Sequence, residues 1–160
     1  MILLATKTDM DDVVRIFSHP DVLPYIEFDE PTWMLPRRVE ETWDRFAYFL
    51  EPTRRGFFQI EAAGEAEPDA VVAHVAAYPE IRGRALLSAW REVVVLLQGA
   101  SVERVYAWVP RKNDRAWMFA LLCGLIPCEE PCGNPRPDHY TSEDGYWLYV
   151  SLKEHKWAVR

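Results

Sequence analysis

No apolar run in this sequence approaches the roughly 18 to 20 residues needed to cross a hydrocarbon core, so a membrane-spanning helix is not expected. A basic excess is lacking too. Eighteen Lys and Arg stand against 25 Asp and Glu, giving a formal net charge of −7 and a pI near 5.1. The cationic footprint with which proteins grip nucleic acid is therefore missing. Cysteine is scarce and odd in number, three residues, so not all can pair within the chain, which suits a reducing compartment. The opening MILLATKTDMDD has neither a basic n-region nor an apolar stretch long enough for a signal peptide, and a cytoplasmic protein is the expectation. Repeats, linkers and low-complexity tracts are also lacking, so residues 1–160 read as one domain. What the chain does have is 49% apolar residues, 13% aromatics and seven Trp, enough for a packed core.

Hydrophobic periodicity orders the elements. Residues 2–6 read as a strand, followed by a helix started by Thr8 and Asp11 that buries Val13, Val14 and Phe17 and stops at His19-Pro20. HPDVLPYIEFDEPTWMLP is a long Pro-punctuated connection, of a length often tied to function. From Arg38, the residues Val39, Trp43, Phe46, Ala47 and Leu50 share one helical face, which predicts a helix running to Glu51-Pro52. GFFQIEAA alternates as a strand, with Phe57, Gln59 and Glu61 on one face, and pairs with the strand 71–78. Leu86, Leu87, Trp90, Val93, Val94 and Leu97 predict a helix over 83–98. VERVYAWVP is a more continuously apolar strand, which implies a central position. Asn113 can cap a helix reaching Cys123, with Gly124 at its end. LIPCEE and GYWLYVSL close the chain around the Pro/Gly loop PCGNPRPDHYTSED. The fold class is α/β (α+β): a mixed, mostly antiparallel central sheet flanked by helices.

One junction carries chemistry. Strand 71–78, a short polar loop and the start of an amphipathic helix bring unpaired backbone N–H groups and the positive end of a helix dipole together. That is an anion-binding geometry, and Arg82 and Arg84 add two cations there.

The order of elements and two local patterns resemble the GNAT superfamily, the acyl-coenzyme-A-dependent N-acyltransferases. YPEIRGRALLSAW resembles the family's phosphate loop, patterned Q/R-x-x-G-x-G/A. It fits in two registers, one through Glu80, Gly83 and Ala85, the other with Arg82 in first place and a shortened loop. Downstream, AWVPRKNDRAWMFALLCGL matches the family's Asn, Ala, aromatic and Gly through Asn113, Ala116, Phe119 and Gly124. Leu125 replaces the closing Phe, and Ala120 stands where the family's proton-donating Tyr falls. The chain also looks like small GNAT-like proteins of tailed phages, among which are virion and host-takeover proteins.

The resemblance implies an N-acetyltransferase that takes acetyl-CoA as co-substrate. Ala76, Ala77 and Tyr78 would meet the pantetheine arm and supply a backbone oxyanion donor, Arg82, Gly83, Arg84 and Ala85 would meet the phosphates, and Asn113 the arm. Amine acylation needs a base. His74, whose imidazole can both take up and give a proton, lies on the same strand, with Glu61 and Glu80 as rivals. Tyr78 or Tyr106 would replace the missing acid. Glu27, Asp29 and Glu30 lie in the long loop that borders the acceptor site in the family and would suit a cationic acceptor, a small molecule or a protein amine. YWLYV is a candidate edge for a homodimer.

Two other classes compete. Cys123, Cys128, Cys132 and His139 are spaced by five, four and seven residues. Zinc sites are tighter and a thiol in an apolar helix usually just packs, so no metal is expected. A catalytically degenerate binding module on the same fold would instead expose aromatics such as Trp33, Trp43 and Trp157 as a partner surface.

Overall fold

The computed structural model describes residues 1–26 and 30–153. Seven strands form one sheet in the order β1-β2-β3-β4-β5-β7-β6. They are β1 (Leu3–Leu4), β2 (Ala47–Leu50), β3 (Gly56–Ala62), β4 (Ala70–Ala77), β5 (Arg104–Pro110), β6 (Ile126–Cys128) and β7 (Gly145–Ser151). Only β4 and β5 run parallel; every other neighbouring pair is antiparallel. The helices are α1 (Met10–Phe17), α2 (Leu35–Thr42), α3 (Arg84–Gly99) and α4 (Asp114–Leu122).

Alternation along β3 and β4 divides the core. Phe58, Ile60, Ala73 and Ala77 pack with Leu86, Trp90, Val93, Val94 and Leu97 of α3 and with α4. Phe57 and Ala76, on the other face, pack with Val13 and Ile16 of α1 and Leu35 and Val39 of α2. The α3 stripe is the one its periodicity predicts. Asn113 caps α4, its Oδ1 accepting from the Ala116 N–H at 3.1 Å, and Gly124 closes it at φ +83°, the left-handed conformation that favours glycine.

The predicted helix from Arg38 to Leu50 is half wrong. α2 ends at Thr42, Trp43–Arg45 is a single 3₁₀ turn, and Ala47–Leu50 is a strand paired with β3 from Ala47–Ile60 to Leu50–Phe57. FAYFL is a short apolar run that fits either period, and its aromatics favour the pleated sheet once a partner strand is beside them. Trp43 is buried and stacks on Tyr48 at 4.6 Å, so it is no surface aromatic. Trp33 is 76% exposed, and Trp157 lies outside the described residues. The final strand is not an edge either. β7 pairs with β5 along its whole length and with β6 on its other side, so the YWLYV edge expected to meet a second copy is already occupied.

The feature that shapes the site is a short ladder. β4 and β5 pair only through Ala70–Arg104, Val71–Val105 and Val72–Tyr106. Beyond Val72 the two parallel strands diverge, and the rest of β4 keeps β3 as its one partner.

Candidate active site

Two openings meet at this divergence. A cleft of about 480 Å³ lies on the α1–α2 side and includes His74, Gln59, Arg45, Trp108 and Tyr140 in its walls. A second, of about 610 Å³, runs along the start of α3 and the first turns of α4, past Pro79, Arg82, Gly83, Leu86 and Arg115. Val75, Ala76, Asn113, Ala116, Phe119, Tyr25 and Ile26 border both.

The bare edge of β4 supplies the backbone donors. Successive N–H groups on a strand point to opposite edges. Tyr78 donates its N–H to Arg55 O at 2.9 Å, so Ala76 also faces β3. Ala77 and Val75 turn theirs to the side that β5 has left. Of the N–H groups from Ala76 to Tyr78, where the sequence leads one to expect an oxyanion donor, the one turned to the open edge is that of Ala77, with that of Val75 beside it.

His74, Glu61 and Tyr140 form the polar centre of the first cleft. Pairing of Gln59 with His74 and of Glu61 with Val72 puts His74 and Glu61 on one face as diagonal neighbours. His74 Nε2 lies 3.0 Å from Glu61 Oε1, and the Tyr140 hydroxyl lies 3.3 Å from both. Glu61 is 2% exposed, with Arg45 Nε at 3.3 Å and Arg136 Nε at 3.6 Å from its other oxygen. Burial pushes this carboxyl up. The His74 hydrogen bond and the charges of His74, Arg136 and Arg45 outweigh it and hold the group below its ordinary value. A carboxylate only accepts. In the neutral ring Nε2 then carries the hydrogen toward Glu61, which leaves a lone pair on Nδ1.

Tyr140 comes from the loop between β6 and β7, and the loop is anchored at several points. Trp108 donates Nε1–H to Thr141 O at 3.0 Å and stacks on Tyr140 at 5.3 Å. Glu67, buried in the β3–β4 turn, accepts from the Gly133 N–H at 3.2 Å and the Tyr106 hydroxyl at 2.8 Å, and pairs with Arg104 at 3.0 Å.

Several expected residues stand elsewhere. The Tyr78 hydroxyl meets Arg15 at 3.1 Å, its ring stacks on His19, and it borders neither opening. The Tyr106 hydroxyl donates to Glu67, and Tyr106 too borders neither opening. Glu80 pairs with Arg55 at 3.4 Å outside both openings, away from any role as base. Arg82 does reach the second opening, but its guanidinium donates to Ala77 O at 3.1 Å and Asp21 O at 2.9 Å, holding the turn together. Arg84 and Ala85 are exposed and border neither opening. Gly83 does border the second, at φ +89° with open space where a Cβ would be. The first turn of α3 has no side-chain cap and no acid. Glu30 is exposed outside both linings, and Glu27 and Asp29 lie outside the described residues. Cys123 is buried and Cys132 exposed; among the described residues no three His, Cys, Asp or Glu converge as metal ligands.

Sequence reading missed Tyr140, Arg136, Arg45 and Tyr25. Arg45 was hidden by the helix assignment. Tyr140 and Arg136 sit in a long Pro/Gly loop whose length was the one available signal.

No family model matches this sequence, and no curated protein matches it. Solved structures do. An aminoglycoside acetyltransferase, AAC(6')-Ib, in complex with coenzyme A superposes with a TM-score of 0.72 at 13% identity, over 96% of this chain and 95% of that one. A chimera of spermidine N-acetyltransferase SpeG from Vibrio cholerae and hSSAT gives 0.69 at 13% identity, over 100% and 98%. YncA from Salmonella typhimurium, solved with its cofactor acetyl-CoA, gives 0.67 at 14% identity, over 98% and 95%. With the splayed β4–β5 pair and the uncapped start of α3, these superpositions along nearly whole chains show that this protein has the fold of the GNAT acetyltransferases.

Proposed function

We propose that the protein is an N-acetyltransferase that moves the acetyl group of acetyl-CoA onto a primary amine. The observation that carries this reading is the meeting of two openings at the unpaired edge of β4, with the start of α3 on one side and His74 on the other. The donor side fits the co-substrate. The uncapped first N–H groups of α3, at the positive end of the dipole, would receive the diphosphate. The open edge at Val75 and Ala77 would hydrogen-bond the pantetheine arm as an added strand does. Likeness to structures solved with acetyl-CoA or coenzyme A supports the same assignment.

His74 Nδ1 takes a proton from the acceptor's ammonium, and Glu61 balances the imidazolium that forms. The freed nitrogen lone pair attacks the thioester carbonyl. A C–N bond forms, and the charge moving onto oxygen is met by the Ala77 N–H. The C–S bond then breaks and the nitrogen sheds its second proton to solvent, leaving a neutral amide and a thiolate that takes up a proton. Ala120 cannot supply that proton. Tyr25 is the one tyrosine, among the described residues, that borders both openings, and it takes this role.

The competing reading, a binding module without catalysis, rests on Ala120. Calorimetric titration of acetyl-CoA and thiol release with a panel of amines decide between them. Binding below about 100 µM with amine-dependent thiol release is expected, and Tyr25→Phe should slow release about tenfold or more. No heat at hundreds of micromolar acetyl-CoA would refute the enzyme reading. An unchanged rate in Tyr25→Phe would refute its role as acid.

A further inference from the structure

The acceptor cleft carries an excess of guanidinium groups. Its charged walls, among the described residues, are Arg38, Arg45 and Arg136 against Asp138, with His74 and His139 beside them. The nearby carboxylate, Glu61, cannot serve a substrate ammonium. It is 2% exposed, with one oxygen within hydrogen-bond distance of His74 and Tyr140 and the other facing Arg45 and Arg136. One ionised Glu61 offsets one of its two arginines, and Asp138 is exposed at the rim. Among the described residues, a cationic surplus therefore remains where the acceptor must enter.

The guanidinium groups are also arranged to receive an anion. Arg136 is held over the Phe46 ring at 5.1 Å and the Tyr140 ring at 5.5 Å, and its Nε is buried without a hydrogen bond. Arg45 lies over the same Phe46 ring, at 5.6 Å. Both face Glu61 through Nε, which leaves the outer nitrogens for a ligand. The Arg38 guanidinium makes no hydrogen bond or ion pair within the described residues; only its backbone carbonyl is engaged, by the Thr42 hydroxyl. A planar guanidinium held by rings suits carboxylate or phosphate oxygens, which it can meet with two parallel bonds.

We propose that the acceptor is a small primary amine that itself bears an oxyanion, a carboxylate or a phosphate, and that Arg38, Arg45 and Arg136 receive that oxyanion while the amine addresses His74. This rests on the acetyltransferase reading of the same cleft. It differs from the cationic acceptor expected from Glu27, Asp29 and Glu30, of which Glu27 and Asp29 lie outside the described residues. A polyamine or aminoglycoside would bring like charge against three guanidiniums, which an apposed surface disfavours.

The test compares kcat/KM at fixed acetyl-CoA for glycine and glutamate as carboxylate amines, O-phosphoethanolamine as the phosphate amine, ethanolamine as the neutral control, and spermidine and kanamycin as polycations. At least one oxyanion-bearing amine should exceed ethanolamine by tenfold or more and exceed both polycations. Which arm wins distinguishes carboxylate from phosphate. Arg38→Glu should lower the ratio of that amine to spermidine by at least tenfold, chiefly through KM. Faster turnover of spermidine or kanamycin, or an unchanged ratio in Arg38→Glu, would overturn the proposal. If no amine is acetylated, the acetyltransferase reading fails by itself, and direct NMR titration still decides the anion site. Millimolar binding of glutamate or O-phosphoethanolamine, weakened tenfold by Arg38→Glu, would support it. Binding of spermidine in preference, or of none of these, would overturn it.

Discussion

Replacing Glu61 by Gln preserves shape and the ability to accept hydrogen bonds from His74 and Tyr140, and removes one charge. In the native protein that charge faces Arg136 and Arg45, whose side chains are 26% and 47% exposed, while Glu61 itself is 2% exposed. Removing one partner of a buried pair costs about 3–5 kcal/mol. Both arginines keep access to water, and screening lowers the figure to about 2 kcal/mol. With a urea dependence of about 2 kcal/mol per molar, the unfolding midpoint should fall by about 1 M at pH 7.

The pH dependence is the sharper part. Burial raises the Glu61 carboxyl, but His74, Arg136 and Arg45 together hold it below the ordinary 4.5. A group depressed on folding binds fewer protons in the native than in the unfolded state. Its contribution is complete above about pH 4.5 and is lost as pH falls through the native value. The gap between the two proteins should therefore be widest near neutrality and shrink toward zero in acid. Asp9, depressed by the Thr6 backbone N–H and Arg54, and Asp12, depressed by Arg15 and Arg54, weaken both proteins alike and cancel in the difference. Urea unfolding of both proteins at several pH values between 7 and 3 measures it. A gap below about 0.5 kcal/mol at pH 7, or one that stays constant into acid, would refute the electrostatic account of this cluster.

Gly145→Ala should destabilise by about 2–4 kcal/mol, because a Cβ there would run into the Trp108 indole; overpacking costs about 1–3 kcal/mol and a displaced Trp108 also loses its bond to Thr141, about 1 kcal/mol. Near-UV circular dichroism and urea unfolding would register it, and wild-type stability would show that the indole is not so confined. Among the thiols, Cys132 is exposed, while burial pushes Cys128 up to about 11 and Cys123 further still. Ellman's reagent at pH 8 should titrate one thiol quickly and the other two only on unfolding; two or more fast thiols would contradict the packing.

The helices α3 and α4 were legible because each carries its own signal. One has an uninterrupted 3.6-residue stripe, and the other has Asn113 and Gly124 at its ends. Strand β2 was not, because FAYFL satisfies both periods over five residues and only pairing with β3 decides between them. The same contrast holds in the site. The pairing of 56–62 with 70–77 put His74 and Glu61 on neighbouring strands of a hairpin, where alternation could bring them together. Tyr140 lies 66 residues beyond His74 in a loop without periodicity, so nothing local announced it. Arg82 is the intermediate case, since it borders the second opening as expected. Its position beside Gly83 implied a phosphate ligand, yet two carbonyls take its guanidinium.

The sequence by itself determined the two caps of α4, the stripe of α3 and the glycine that starts it, since each depends on residues within a turn or two of one another. Tertiary structure alone decided where β4 and β5 part, which tyrosines reach the cleft, and that two arginines from distant segments, Arg45 and Arg136, converge on one buried carboxylate. Those outcomes depend on long-range register and on competition for hydrogen-bond partners, which no short stretch of chain encodes.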